Sequence, residues 1–337
     1  MQNLVLSCDW GTSSFRLKLV ALHDQKVLAE VTSQEGIASV YNRWVATQTN
    51  IETKRLTFFQ EFLKKNLYIL EKKASVSLRL IPILISGMAS SSIGMKELAY
   101  ADLPFHINGS GAIIEKIEKN EYFLHDIFII SGVRNEHDVM RGEETQMVGL
   151  IHHFIDETED EDTLSIFPGT HSKHIKVKNS KIAGFKTFMT GEIFSLMSGQ
   201  SILKDTIEKP KEFTIGESEM AGFKLGVKSA FNSDLLSSLF SVRVNQLFKK
   251  LNKLQNYYYL SGLLIGTELM HLKSNENLKI FLCSGSNIFE LYRLTLEELN
   301  LINKTTLVSP EVMDKAAVAG QVKIFQNYLN KNINYEE

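Results

Sequence analysis

The chain has only two cysteines in 337 residues, a formal net charge of −2, and no long unbroken apolar run. Cys8 and Cys283 both sit in strand-like apolar stretches. That excludes a disulfide framework or a cysteine metal cluster and reads as two buried thiols. The small net charge excludes the electrostatic footprint of a nucleic-acid or anionic-membrane binder. Without a long apolar run there is no conventional membrane-spanning helix. Asp9 and Arg16 interrupt the N-terminal stretch, which therefore does not read as a secretion signal. What remains is 44% hydrophobic and 23% charged, ordinary for a globular chain long enough for two cored domains. The expectation is a cytoplasmic, two-domain α/β protein.

Two short stretches depart from that ordinariness. Asp9-Trp10-Gly11-Thr12-Ser13-Ser14-Phe15-Arg16 lies near the start, and Phe167-Pro168-Gly169-Thr170-His171-Ser172-Lys173-His174 lies halfway along. Each follows an apolar run that reads as a strand and precedes an alternating run that reads as another. Tight hairpins of Gly, Thr and Ser present backbone N–H groups and hydroxyls to an anion without a bulky side chain in the way. Two of them, in matching positions of two halves, point to a duplicated fold that grips a polyphosphate from both sides.

The pattern along the chain supports duplication. The first half reads β-β-β-α-β-α-β: strands at Leu4–Asp9, Phe15–Ala21 and Val27–Ser33, a helix near 52–72, a strand at Leu80–Ser86, a shorter helix, and a strand at Asp126–Ser131. The second half repeats the order with helical insertions. Its strands are Leu164–Phe167, His174–Lys178, Ile182–Phe188, Lys279–Cys283 and Thr306–Val308. A last helix runs from about Glu311 to Leu329, with Ser309-Pro310 as its N-cap and N1 pair. The acidic run from Asp156 to Asp162 reads as a solvated loop. A three-strand meander feeding a mixed sheet, given twice, is the order of the ribonuclease-H-like domains of the actin/hexokinase/Hsp70 superfamily, which holds a nucleotide between its halves. The expected division is 1–138, with the helix 311–331 packing back on it, and 139–310.

Several runs resemble signatures of the 2-dehydro-3-deoxygalactonokinases. They are Val139-Met140-Arg141-Gly142-Glu143-Glu144-Thr145-Gln146, Pro168-Gly169-Thr170-His171-Ser172-Lys173, Met189-Thr190-Gly191-Glu192 and Leu260–Glu268. Asp9-Trp10-Gly11 and Ser86-Gly87-Met88 with Gly94 fit as well. The resemblance covers most of the chain and departs around Ser90–Ser92 and Gly132–Asp138. It implies two duplicated ribonuclease-H-like (actin/hexokinase-type) domains with a nucleotide cleft between them. It also implies ATP and Mg2+, and phosphorylation of the primary hydroxyl of a six-carbon 3-deoxy-2-keto sugar acid.

Candidate residues follow. Asp9, at the end of a strand, can hold magnesium, which takes one or two protein carboxylates and keeps several waters; an Asp that anchors its own turn is the plainer reading. Gly11, Thr12 and Ser13 on one side, and Gly169 and Thr170 on the other, are candidate phosphate contacts. Arg16 could steady a transferring phosphoryl group or be a surface arginine. Ser284-Gly285-Ser286 follows a strand where the superfamily binds adenosine, so Gly285 and Ser286 are nucleotide candidates. Glu143 opens a helix where superfamily kinases carry the general base, with Glu144 and Asp138 as rivals. Acidic residues also sit at first helical turns for the helix dipole alone. Arg141 suits a substrate carboxylate or a phosphate, and the resemblance adds Met88, Ser90, Thr190 and Glu192 on the substrate side. His171 and His174 would point to opposite faces of a strand, which argues against a two-His metal site. Gly262 and Gly266, four apart on a helix, read as a close-packing face.

The expected function is thus an ATP-dependent sugar-acid kinase acting on 2-dehydro-3-deoxy-D-galactonate or a close relative. Its alternatives are an exopolyphosphatase-like phosphohydrolase and an actin- or Hsp70-like ATPase directed at proteins. The expected partners are small molecules only, with a homodimer as the candidate assembly.

Overall fold

Near-continuous apolar runs and alternating runs become strands because each must bury one or two faces. The computed structural model describes residues 3–47, 54–153, 162–211, 215–232, 234–274 and 278–333, without the side chains at 153, 232, 286, 287 and 333. Most of the acidic run and Phe154 lie outside the described residues. The chain forms two units: Met1–Glu159 with Ser180–Gly184 and Val312–Glu337, and Asp160–Asn179 with Phe185–Glu311. Residues 139–159, expected in the second domain, cluster with the first.

The first unit opens with β1 (Leu4–Trp10), β2 (Phe15–Ala21), β3 (Val27–Ser33), α1 (Ile37–Thr47), α2 (Arg55–Ala74) and β4 (Ile83–Gly87). Short strands β5 (Ala101–Asp102), β6 (Phe105–His106) and β7 (Ile114–Ile117) lead to β8 (Ile127–Ile130), β9 (Val133–Arg134), β10 (Val139–Met140) and α3 (Glu143–His153). The second unit begins with β11 (Thr163–Phe167), β12 (Ser172–Lys178), the part of β13 (Lys181–Phe188) from Phe185 on, and α4 (Thr190–Gly199). It continues with α5 (Glu217–Asn232), α6 (Leu235–Leu247), α7 (Lys253–Leu269), β14 (Lys279–Cys283), α8 (Ser286–Glu298) and β15 (Thr305–Val308). The last helix, α9 (Pro310–Ile333), belongs to the first unit from Val312 on.

One sheet runs β3-β2-β1-β4-β8-β7, with β1 antiparallel to β2 and parallel to β4. A small sheet runs β10-β9-β5, and a third contains β13-β12-β11-β14-β15, with β11 antiparallel to β12 and parallel to β14. Numbered in chain order among their own strands, the first sheet reads 3-2-1-4-6-5 and these five strands of the third read 3-2-1-4-5. The shared run 3-2-1-4, followed by a strand parallel to the fourth, is the duplication expected from the strand pattern. Each Gly-Thr stretch joins the first two strands of its unit.

The sequence pattern misleads in three places. First, α1 was not anticipated. Its first N–H groups, which no residue inside a helix can satisfy, find non-local partners: Ile37 N–H donates to Gly11 O at 2.9 Å and Ala38 N–H to Thr12 O at 3.2 Å. Second, the shorter helix expected between β4 and β8 is absent. A three-residue 3-10 turn, Met88–Ser90, and short strands replace it, in a segment broken by Gly94, Pro104, Gly109 and Gly111. Third, the polar face of β2 is not solvent-facing throughout, since Lys18 is only 8% exposed.

That third departure follows from a second layer. One face of the first sheet packs Trp10, Phe15 and Leu17 against Phe59, Phe62 and Leu63 of α2. The other face packs Val5, Val20, Leu84 and Phe128 against Val318, Val322 and Phe325 of α9. Fully burying such side chains is worth about 1.5–3 kcal/mol each. The buried Gln321 of α9 donates to Cys8 O at 2.9 Å and Ser86 Oγ at 2.8 Å, tying the helix to β1 and β4. Cys8 and Cys283 are both buried thiols.

Helix α3 joins this layer through glycine. A Cβ on Gly149 would lie 2.0 Å from Ala316 O, and one on Gly320 would lie 1.8 Å from Thr145 O. The backbones of α3 and α9 therefore approach more closely than any side chain allows. The second unit uses the same device, as the Gly262-Gly266 spacing suggests: a Cβ on Gly262 would meet Phe223 O of α5 at 2.2 Å. Gly149→Ala and Gly320→Ala should each cost about 2–4 kcal/mol through overpacking. Gly199→Ala, where a Cβ meets nothing within 4 Å, should fall within about 1 kcal/mol of neutral. Urea unfolding of the three variants measures the difference, and equal midpoints would refute the close-approach account.

Candidate active site

In the first unit the β1–β2 turn closes on itself, with Gly11 N–H donating to Ser14 O at 2.9 Å. Of the three residues expected to greet phosphate there, Gly11 has its amide committed to the turn, whereas Ser13 is exposed and Thr12 half-buried. Strand pairing sets Asp9 opposite Arg16, and Arg16 Nη1 donates to Asp9 Oδ2 at 3.2 Å. Burial raises the Asp9 carboxyl above its ordinary range, and the charge and hydrogen bond of Arg16 only partly offset it. The two residues line a pocket with Ser7, Lys18, Gln146 and Asp314. Lys18 Nζ donates to Asp314 O at 3.0 Å. Gln146 belongs to α3, three positions after Glu143, so the helix that carries the candidate base also borders the Asp9 pocket. Among the described residues no three His, Cys, Asp or Glu side chains gather as a metal site.

The start of α3 separates Glu143 from its rival. Glu144 is 1% exposed. Its carboxylate accepts the Gly142 N–H at both oxygens (3.0 and 2.8 Å) and the Thr145 hydroxyl at 2.9 Å. Burial and the neighbouring Glu143 push its carboxyl up to about 8. Glu144 is thus an internal cap whose carboxyl is pushed toward its protonated form, while Glu143 is half-buried. Asp138 sits in the β9–β10 turn, its carboxylate accepting the Val139 N–H at 2.7 Å.

Arg141 and Ser90 are partners of each other. Arg141 Nη1 donates to Ser90 Oγ at 2.7 Å, Nε donates to Tyr100 OH at 3.0 Å, and the guanidinium lies 3.9 Å over the Tyr100 ring. Ser90 is fully buried and supports the Met88–Tyr100 segment. Met88 is half-buried at the start of that segment.

In the second unit the β11–β12 turn docks on α4. Glu192 N–H donates to Thr170 O at 3.0 Å, and a Cβ on Gly191 would lie 2.5 Å from Gly169 O. The His171 ring meets the Glu192 carboxylate. Beneath the turn lies Glu268 of α7, 2% exposed. It accepts from Ser172 Oγ at 2.6 Å, His174 Nε2 at 2.9 Å, Tyr292 OH at 2.8 Å and the Thr190 hydroxyl. Burial alone would raise this carboxyl; the hydrogen bonds and charge of His174, with Ser172 and Thr190, outweigh it and hold it low. Thr190, expected at a substrate, is therefore committed inward. Gly285 is exposed, and a Cβ there or on Gly169 would meet nothing closer than 3.9 Å. The backbone of Ser286 starts α8; its side chain lies outside the described residues.

A family model for 2-keto-3-deoxy-galactonokinase matches residues 9–324. The chain belongs to that family. It is 32% identical over 304 residues to a Rhizobium meliloti protein named probable 2-dehydro-3-deoxygalactonokinase, covering 87% of this chain and 89% of the relative. It is 28% identical over 224 residues to the Escherichia coli (strain K12) 2-dehydro-3-deoxygalactonokinase, covering 65% of this chain and 71% of that protein. A crystal structure from Sinorhizobium meliloti assigned the same enzyme name superposes with a TM-score of 0.75 at 28% identity, covering 96% of both chains. The chain is accordingly a kinase, a phosphotransferase that draws on ATP. These likenesses favour neither the phosphohydrolase nor the protein-directed ATPase. Among the described residues no helix is long and apolar enough to cross a membrane.

Within this galactonokinase-family chain, reading the sequence missed Lys18, Gln146, Asp314 and Glu268. A carboxylate at the end of the uncharged Leu260–Thr267 run was the available signal for Glu268. Lys18 shares the polar face of β2 with Arg16, but its burial depends on α9, far away in sequence. The raised Glu144 carboxyl has a measurable sign. The folded chain favours the protonated carboxyl up to about pH 8, whereas the unfolded chain releases that proton near the ordinary carboxylate value of 4.5. Stability should therefore fall as pH rises between those limits, by at most about 1.4 kcal/mol per unit, and level off above. Melting temperatures of wild type and Glu144→Gln across pH 5–9 should diverge in that window; parallel profiles would contradict it.

Proposed function

We propose that the chain transfers the terminal phosphoryl group of ATP to the primary (6-) hydroxyl of 2-dehydro-3-deoxy-D-galactonate or a closely related 2-keto-3-deoxy sugar acid. The observation that carries this reading is the family match over residues 9–324. It gains support from the strand run 3-2-1-4 shared by the two sheets, with a Gly-Thr turn at the same connection in each. Gly169 and Gly285 add a local argument. Neither is crowded nor at positive φ, so the protein's own packing does not require glycine there, whereas a closely approaching ligand would.

Glu143 is the proposed base. As the hydroxyl oxygen bonds to the terminal phosphorus, the bond to the bridging oxygen of ATP breaks, ADP departs, and the hydroxyl proton passes to the Glu143 carboxylate. A carboxylate suffices because the transition state is loose and asks for positioning more than basicity. Arg16 steadies the moving phosphoryl group with Thr12 and Ser13. Gly169, Thr170, Gly285 and Ser286 hold the nucleotide. Met88 contacts the sugar acid, with Ser90 and Arg141 shaping its segment, and Thr190 and Glu192 support the second turn. Asp9 fits a magnesium ligand: burial raises its carboxyl even with Arg16 and Lys18 beside it, and Asp314 adds a second acidic residue to the same pocket. When bound, Mg2+ would neutralise phosphate charge.

Coupled ADP release with ATP, Mg2+ and 2-dehydro-3-deoxy-D-galactonate should show turnover that depends on the sugar acid. Phosphate release without an acceptor, at the same rate, would overturn the kinase reading in favour of hydrolysis. Glu143→Gln should lower kcat about 10²–10⁴-fold with nucleotide affinity unchanged; near-normal turnover would place the base elsewhere. Gly169→Ala and Gly285→Ala should melt like wild type while raising the KM for ATP. An unchanged KM in both would remove those turns from the nucleotide site.

A further inference from the structure

The second unit contains a buried carboxylate that no step of the proposed reaction uses. Glu268 lies near the C-terminal end of α7, and its four donors come from three separate elements. Ser172 and His174 begin β12, directly after the Gly169-Thr170 turn. Thr190 begins α4, whose next residues receive that turn: Gly191 packs on Gly169 O, and Glu192 N–H donates to Thr170 O. Tyr292 stands on α8, two turns after the Gly285 turn that starts that helix. The segments assigned to nucleotide binding in this unit thus share one anchor. In the interior such a carboxylate would be costly unless hydrogen-bonded, and here neutral hydroxyls and an imidazole satisfy it. Losing its charge would leave those buried donors competing for a poorer acceptor.

We propose that Glu268 is a positioning residue that sets the Gly169-Thr170 turn, the start of α4 and the start of α8 in the mutual arrangement that binds the nucleotide. It touches no substrate. This assignment rests on the reading of those turns as the nucleotide site. Its effect falls on the nucleotide and not on the sugar acid, because every donor to Glu268 lies on an element of the second unit. Displacements of about 1 Å at such groups are enough to cost large factors in binding or rate.

Direct titration of the full chain with a fluorescent ATP analogue and Mg2+, beside steady-state kinetics, tests it. Glu268→Gln should bind nucleotide at least tenfold more weakly and raise the KM for ATP to match. Its KM for the sugar acid should stay within twofold of wild type. Tyr292→Phe keeps the packing and removes one donor; it should weaken nucleotide binding about threefold, and it decides the matter if Glu268→Gln fails to fold. Unchanged nucleotide affinity in the variants, or equal rises in both KM values, would overturn the assignment. Wild type that binds nucleotide but phosphorylates no sugar acid would instead overturn the kinase reading and leave the positioning test intact. Wild type that binds no nucleotide would overturn both.

Discussion

The closeness with which α9 approaches α3 and the first sheet is the constraint on which the first unit depends. Glycines at 149 and 320 let the two helix backbones touch, and Gln321 fixes α9 to β1 and β4 through Cys8 O and Ser86 Oγ. Because α9 sits so low, Lys18 is buried beneath it and Asp314 joins Asp9 and Arg16 in one pocket. Because α3 is held against α9, its first turns border that pocket. Strand pairing alone would bring Asp9 to Arg16 but would leave Glu143 without a fixed place.

The second unit solves a similar problem with polar chemistry. Its helices α5 and α7 also meet at glycine, but the turn between β11 and β12 is held from below by Glu268. A charge is a demanding anchor, since it must be fully hydrogen-bonded to be tolerated inside. In return it fixes orientation, because four donors with defined directions converge on two oxygen atoms. A turn of Gly, Thr and His has little packing of its own, and such a support gives it one geometry.

Much of this was legible beforehand. Strands such as Phe15–Ala21 and Lys279–Cys283 follow from alternation or continuous apolarity, and the duplication follows from their order. The Gly-Thr turns stood out because each falls between two such runs. What stayed hidden depends on residues distant in sequence. The cap of α1 is supplied by carbonyls of Gly11 and Thr12; the burial of Lys18 comes from a helix some 300 positions away. Arg141 reads as an anion contact by residue type, and only the fold shows its guanidinium held by Ser90 and Tyr100. Glu143 and Glu144 were not separable by pattern, since only packing decides which of two adjacent carboxyls turns inward.

In the proposed reaction the phosphoryl group ends on the primary hydroxyl of a 2-keto-3-deoxy sugar acid. Phosphorus–proton correlated NMR of the product, made from ATP, Mg2+ and 2-dehydro-3-deoxy-D-galactonate, addresses this directly. A phosphomonoester signal coupled to the C6 methylene protons should appear in step with ADP. A spectrum containing only inorganic phosphate, or a phosphate coupled to a ring or chain methine, would contradict it.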